Sequence, residues 1–326
     1  MSRRSKRVQK RKLIVSLLML LLVVIGISFA ASRLESVLYP QREAVETVVE
    51  NNGEVYVNGK FYIPKQNLVT TLLMGIDRDT GLEVSSFYQN DGQADFLMLL
   101  VEDSATGETF AIHINRDTIT NIPVLAVNGR KAGRTKAQIT LAFNYGHGRE
   151  DSCKNMMDAV SYLLNDIAVD HYIALSMDGV AALNDMVGGV EVTIEDDFTG
   201  IDDTLIQGET VTLMGEHALR YVRSRSGLED SSNLNRMERQ RQYVRRWAEK
   251  FKTVPAEQII ETVLGLSDSL LSDYSVQNLA GFADYPLGEI YTLEGEAVVA
   301  NGFMEYHVDE AKLQELVLSL FYTELS

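Results

Sequence analysis

Arg223, Arg225 and Arg236 are the residues in this chain whose type and spacing most plainly suggest chemistry. They belong to the stretch RYVRSRSGLEDSSNLNRMERQRQYVRRW (220–247), which holds eight arginines, three acids and no lysine, in a chain of 46 acidic and 30 basic side chains with a formal charge of −16. Charge alone could come from lysine. A planar guanidinium fork that grips two oxygens of one phosphate could not. Arg223 and Arg225 fall in one helical segment and Arg236 opens the next, so three guanidiniums can converge on a phosphate-bearing ligand. Arg236, Gln240, Tyr243 and Trp247 recur at helical spacing, with Arg239 at the edge of the same stripe. An arginine on an otherwise apolar, core-facing stripe requires an anionic partner. The bland alternative is a structural network with Glu229, Asp230 and Glu238. Arg241, Arg245 and Arg246 face the other way and read as a solvated surface, with Arg245 spaced for a pair with Glu249.

Acids stand at the ends of apolar runs. Asp77 follows LVTTLLMGI (68–76), Asp95 opens DFLMLLVED (95–103), and Arg116-Asp117 follow TFAIHIN (109–115). Open α/β sheets bind ligands beyond their strand ends. Two carboxylates beside a phosphate cluster suit Mg²⁺, which shares oxygen ligands between protein and substrate phosphates. Each acid alone is weak evidence, since Asp commonly caps a turn. The chain has no G-x-x-x-x-G-K-[ST], H-E-x-x-H or G-x-S-x-G, and its single cysteine, Cys153, excludes both an internal disulfide and a cysteine-rich zinc site; it reads as a small buried hydrophobe.

The elements that must position these residues are legible from the pattern. The three apolar runs are continuous rather than alternating, as in strands buried on both faces. Helix 152–167, strand 171–176, helix 177–187 and strand 190–194 come next, with a break at Gly188-Gly189. Helices at 215–225 and 233–252 flank the loop SGLEDSSN, and further helices near 255–270 and 308–322 enclose a strand-like stretch, 296–308. The expected fold is α/β: a single mixed β-sheet flanked by helices on both faces, an α/β/α sandwich. Ahead of it, MSRRSKRVQKRK carries seven basic residues, and 13–31 runs nineteen residues without a charge. That is roughly 28 Å of helix, enough for a hydrocarbon core. The run is longer than a signal-peptide core and reads as one N-terminal transmembrane anchor, and either reading exports the rest of the chain. The expected organisation is a cytoplasmic basic tail (1–12), the anchor (13–31), a stalk with a small hairpin at Val57-Asn58-Gly59 (32–67) and one extracytoplasmic domain (68–326). An acidic exported domain is a poor nucleic-acid binder.

Taken together, LLMGID (72–77), ADFLML (94–99), NRDT (115–118), VGGVEV (187–192), LMGEHALRYVRSR (213–225) and RMERQ (236–240) resemble, in order and spacing, the LytR-CpsA-Psr family of Gram-positive bacteria. The resemblance implies a membrane-anchored phosphotransferase that moves a glycopolymer from a polyprenyl-pyrophosphate carrier onto peptidoglycan through a phosphodiester. It implies that Arg116, Arg223, Arg225 and Arg236 hold the pyrophosphate with Gln240 beside them, Arg239 and Asp117 being secondary. Asp77 and Asp95 would serve Mg²⁺ or the acceptor hydroxyl, and the prenyl tail would need an apolar tunnel.

Four positions depart from the family pattern: Gln93 and Ile119 stand where arginine is usual, Asn115 where proline is, and Asn233 where an acid is. A non-catalytic wall-binding scaffold and a pyrophosphate hydrolase are the competing expectations. DNA binding is disfavoured, because the anchor puts the arginine-rich helix outside the cell.

Overall fold

The computed structural model describes residues 48–49, 53–78, 82, 92–126, 130–146, 149–224, 233–300 and 302–325. The basic tail, the apolar run 13–31 and Arg225 lie outside the described residues. Among the described residues, no helix is long and apolar enough to cross a membrane.

A six-stranded mixed sheet forms the centre: β1 (Leu68–Ile76), β2 (Ala94–Asp103), β3 (Thr109–Ile114), β4 (His171–Ser176), β5 (Leu270–Ser272) and β6 (Ile290–Thr292), in the order β5-β4-β1-β2-β3-β6. β1 pairs antiparallel with β2 and parallel with β4, and β6 joins β3 in parallel. The continuous apolar runs are explained by helices on both faces. On one face, α1 (Arg149–Leu163) and α7 (Glu310–Phe321) close the main core through Met156, Val160, Leu313 and Val317, against Leu97, Leu99 and Ile112 of the sheet. On the other lie α2 (Met177–Met186), α4 (Asn233–Phe251), α5 (Ala256–Gly265) and α6 (Val276–Gly281). α3 (Glu216–Arg223) packs beside α4 over the ribbon Val190–Thr193/Thr210–Leu213, with Tyr221 fully buried.

Four outcomes differ from the expected single sheet. Among the described residues, the strand expected at 190–194 does not join the central sheet; Val190–Thr193 pairs only with Thr210–Leu213 as a separate ribbon. The hairpin at Asn58-Gly59 forms, with both turn residues at positive φ as a two-residue type I′ turn requires. It belongs to the folded domain rather than to a stalk, because Lys60–Pro64 pairs with the C-terminal strand Tyr322–Leu325 in a four-stranded sheet. The stretch 296–308 is itself a hairpin, Gly295–Ala300 with Phe303–Val308. A further ribbon, Ile119–Leu125 with Lys131–Gln138, gave no apolar signal in its second strand, KAGRTKAQ.

Gly188-Gly189 ends α2 as expected, with amide bonds back to Asp185 and Asn184 and positive φ at both residues. At Gly189 a Cβ would meet the Leu213 carbonyl oxygen at 2.6 Å, so the ribbon strand can approach only a glycine there.

Candidate active site: a guanidinium–carboxylate cluster over an apolar cavity

The site assembles at the C-terminal end of β1 and the N-terminal end of β2. Pairing there slips: Gly75 opposes Phe96 but Ile76 opposes Ala94, so Asp95 is the extra residue of a β-bulge. Phe96, Met98 and Leu100 alternate toward the layer that contains α4. A regular strand would turn Asp95 to the opposite face; the bulge brings it to the same face as Phe96. Asp77 is fixed just beyond β1 by its amide bond to the Gln93 carbonyl (2.8 Å).

Asp95, 9 % exposed, is clamped by two arginines. Its Oδ1 accepts from Arg116 Nη1 and its Oδ2 from Arg236 Nη1 at 3.0 Å. Arg223 Nη2 donates to Asp77 Oδ1 at 2.8 Å, both side chains about 40 % exposed at the mouth. Arg236 is 3 % exposed and Arg116 8 %, so depth is graded: Arg223 meets solvent while the other two lie inside.

The turn after β3 holds Arg116. Asn115 Oδ1 accepts from the Asp117 amide, and the Thr118 amide bonds the Asn115 carbonyl. Asp117, 2 % exposed, lies 3.5 Å from Arg116 Nε and accepts from Gln138 Nε2. Asp117 therefore orients Arg116 from behind. Gln240 donates to the Val222 carbonyl at 3.1 Å, tying α4 to α3 beside Arg223.

Three of the four unusual residues are built into this network. Gln93 Oε1 accepts from Arg116 Nη2. Asn233 accepts from Arg236 Nε at 2.8 Å and donates to Asn115 Oδ1 at 2.8 Å. A continuous amide chain thus links Arg236 to the turn that carries Arg116. Ile119 opens the 119–125 strand and takes no part.

Other expectations resolve differently. Arg239 shares a helix edge with Arg236 but is spent on structure: 3 % exposed, it donates to the Tyr221 and Ser224 carbonyls and to Asp196. Arg245 pairs with Glu289 rather than Glu249, which takes Arg246, and Glu238 takes Arg241. Cys153 is fully buried, and burial pushes its thiol well above the usual range.

Sequence reasoning missed His113 of β3. Its ring is 1 % exposed and 5.1 Å from that of Phe96. Burial, then the Arg241 and Arg236 charges, push its pKa down to about 3, opposed by a hydrogen bond that the protonated ring would donate to Gln240. It is a neutral imidazole behind the cluster. One histidine in TFAIHI gives no signal beyond being the only polar ring in an apolar strand.

Beneath the cluster opens a cavity of about 340 Å³ between the sheet and helices α2, α4, α5 and α6. Asp95, Arg223, Arg236 and Gln240 close its polar end; below them its wall is apolar, down to Leu100 and Leu287.

A mixed sheet between helical layers, with paired arginines and carboxylates at the strand ends over an apolar cavity, places the chain among α/β proteins with a charged cluster set on a hydrophobic chamber. Within that class the chain belongs to the LytR_cpsA_psr family, whose model matches residues 36–320. It is similar to the polyisoprenyl-teichoic acid–peptidoglycan teichoic acid transferase TagU of Bacillus licheniformis, 25 % identical over 96 % of this chain and 98 % of that one. It is 28 % identical to TagU of Enterococcus faecalis over 75 % and 76 % of the two chains. Among solved structures, TagT bound to LI-WTA superposes with a TM-score of 0.60 at 23 % identity, covering 78 % of this chain and 90 % of that one. Protein gbs0355 from Streptococcus agalactiae gives 0.62 at 22 %, covering 77 % and 86 %.

Proposed function

We propose that this protein is a membrane-anchored phosphotransferase that moves a glycopolymer from a polyprenyl-pyrophosphate carrier onto peptidoglycan, its domain facing outward from residues 13–31. The observation that carries this reading is the cavity: an apolar chamber whose charged end is formed by Asp95, Arg223 and Arg236. A free sugar phosphate would have no use for the chamber, and a neutral lipid none for the arginines. The relatives named for polyisoprenyl-linked teichoic acid and peptidoglycan support the same chemistry.

In the reaction, an acceptor hydroxyl oxygen bonds to the glycan-bearing phosphorus and the anhydride bond to the prenyl-bearing phosphate breaks. Polyprenyl phosphate leaves, a phosphodiester remains, and the hydroxyl proton passes to a carboxylate. Such transfer depends on positioning and charge neutralisation. Arg223 and Arg236 meet the pyrophosphate from the cavity side, and Arg116 supports them through the shared carboxylate of Asp95. Asp77 is the half-exposed carboxylate at the mouth, and we assign it the proton.

Among the described residues no group of three or more ligating side chains could hold a metal by itself. The donors present fit Mg²⁺ only as an ion shared with substrate. Asp95 would hold it by releasing a guanidinium while Asp77 takes the proton; with Asp77 on the ion instead, the proton would pass to Asp95. Bound there, the ion supplies charge neutralisation on the leaving phosphate.

The test uses the full chain in lipid vesicles with a polyprenyl-pyrophosphate oligosaccharide, uncrosslinked peptidoglycan and Mg²⁺, read by mass spectrometry. The expected product is a phosphodiester-linked adduct, abolished by EDTA. Phosphate release indifferent to peptidoglycan would make the protein a hydrolase, and bound but intact donor would make it a scaffold.

A further inference from the structure

The four-stranded sheet at the far end from the site presents an uncharged, partly apolar face. Val55 and Val57 turn inward, 9 % and 2 % exposed, which turns Tyr56 outward at 37 %. Tyr56 opposes Phe61, and Phe61 opposes Leu325, 42 % and 44 % exposed. Directly opposed residues of paired strands point to one side, so these three form one cross-strand row, with the two rings 4.7 Å apart. By strand alternation, Ile63 and Thr323 share that side. Over 55–57, 60–64 and 322–325 this face therefore carries no charge, while Lys60 and Glu324 pair with each other on the opposite side. In a chain of formal charge −16, an outward sheet face of Tyr, Phe, Ile, Thr and Leu needs a reason.

Chain length supplies the occupant. Sixteen residues separate Ala31, the end of the apolar run, from Val48, which pairs with Tyr56. Fully extended they reach about 55 Å, so this sheet, the first element after that stretch, lies within that distance of whatever holds residues 13–31. The cavity points the same way. Asp95, Phe96, Met98 and Leu100 line it in turn down β2, and its apolar end at Leu100, Thr109 and Leu287 lies where β2 finishes and β3 starts. That is the end of the central sheet at which the four-stranded sheet leads into β1 through Asn67, whose carbonyl binds the Ser104 amide. β1 spans roughly 30 Å, so the arginine cluster stands that far away.

We propose that the Tyr56–Phe61–Leu325 face seats on the outer surface of the bilayer, so that a lipid-borne tail enters the cavity from the membrane side while its head group is presented roughly 30 Å outward. Aromatic and aliphatic side chains without charge suit the interfacial zone. The proposal rests on the reading of residues 13–31 as an anchor and of the cavity as a tail site.

The test is depth measurement on the full chain reconstituted in phosphatidylglycerol-containing nanodiscs. Single spin labels are placed through F61C, L325C and V299C, the buried Cys153 staying unreactive. Labels at 61 and 325 should collide more with oxygen than with a water-soluble nickel chelate, and the ratio should invert at 299, on the hairpin whose Tyr306 amide bonds the Asp117 carbonyl beside Arg116. A wet label at 61 and 325 overturns the proposal, and a lipid-buried label at 299 with a wet one at 61 reverses the orientation and overturns it equally. The double substitution Y56D/F61D should leave transfer from detergent-solubilised donor unchanged and lower transfer from vesicle-borne donor roughly tenfold, as loss of part of the burial of two such side chains predicts; an equal rate with both donors also overturns it. Because the depth readout needs no turnover, lipid contact at 61 in a protein that transfers nothing would leave the docking face standing and remove the transferase reading instead.

Discussion

Asp95 is where the chemistry of this site concentrates, because a single carboxylate orients two arginines in a buried setting. Lysine at 236 would keep the charge but could not serve Asp95 and Asn233 from one planar group, as Arg236 does. Arg236→Lys is therefore expected to lower kcat/KM for transfer about 100-fold, the scale of losing one well-placed donor to developing charge, with circular dichroism unchanged. His113 predicts a separate effect on stability. Its folded pKa, about 3, lies below its ordinary value of 6.5, so the unfolded chain binds the extra proton between those values and stability falls as pH falls through that window. From pH 7 to pH 5 the loss is about 2 kcal/mol. Urea unfolding of His113→Gln at both pH values should show a slope smaller by that amount. At this scale the sequence singles out Asp77, Asp95, Arg116, Arg223 and Arg236 by their strand-end and stripe positions, and the structure brings these side chains together. Arg239 shows the limit of that method. Helical period places it beside Arg236, but which arginine meets a ligand and which meets the Tyr221 and Ser224 carbonyls depends on where α3 ends in space.

Among the elements, the decisive feature is the one-residue slip that turns Asp95 toward the cavity. Hydrophobic alternation cannot reveal it, since ADFLML has the same pattern with or without a bulge. The glycine pair after α2 was legible as a break, and the structure divides its two members. Gly188 has open space around a notional Cβ, whereas Gly189 abuts the Leu213 carbonyl oxygen and Thr212. Gly188→Ala should cost about 1 kcal/mol, the left-handed backbone term alone. Gly189→Ala should cost about 3 kcal/mol, adding displacement of the ribbon strand. Denaturant midpoints of the two variants check the difference. Because α2 also receives Tyr243 (3.1 Å, at Asn184) and Trp247 (3.0 Å, at the Leu183 carbonyl) from α4, the costlier variant should loosen the arginine helix as well. The ribbon 119–138 escaped sequence reading because its second strand, KAGRTKAQ, has no apolar alternation and is held by pairing with the first, ITNIPVL, whose Ile122 joins the main core.

At the scale of the molecule, the two helical layers do different work. The layer with α1 and α7 packs tightly against the sheet, while the layer with α2, α4, α5 and α6 stands off and leaves the cavity, although both faces of the sheet are equally apolar in sequence. The α/β/α architecture was therefore readable and the chamber was not. An apolar residue lining a void and one filling a core have the same letter. The chamber can be examined by shortening it. Leu100 lines its apolar end, some five residues down β2 from Asp95, so Leu100→Trp should occupy space there without touching the arginines. If a tail lies in the chamber, donors with long prenyl chains should show KM raised about tenfold, the worth of roughly two methylenes returned to water. Donors with one or two isoprene units should be processed at the wild-type rate, since they end above residue 100. Equal effects on both would mean that the substitution disturbs the head site through the sheet. No effect on either would place the tail elsewhere, leaving the arginine cluster to act on the pyrophosphate from the mouth alone.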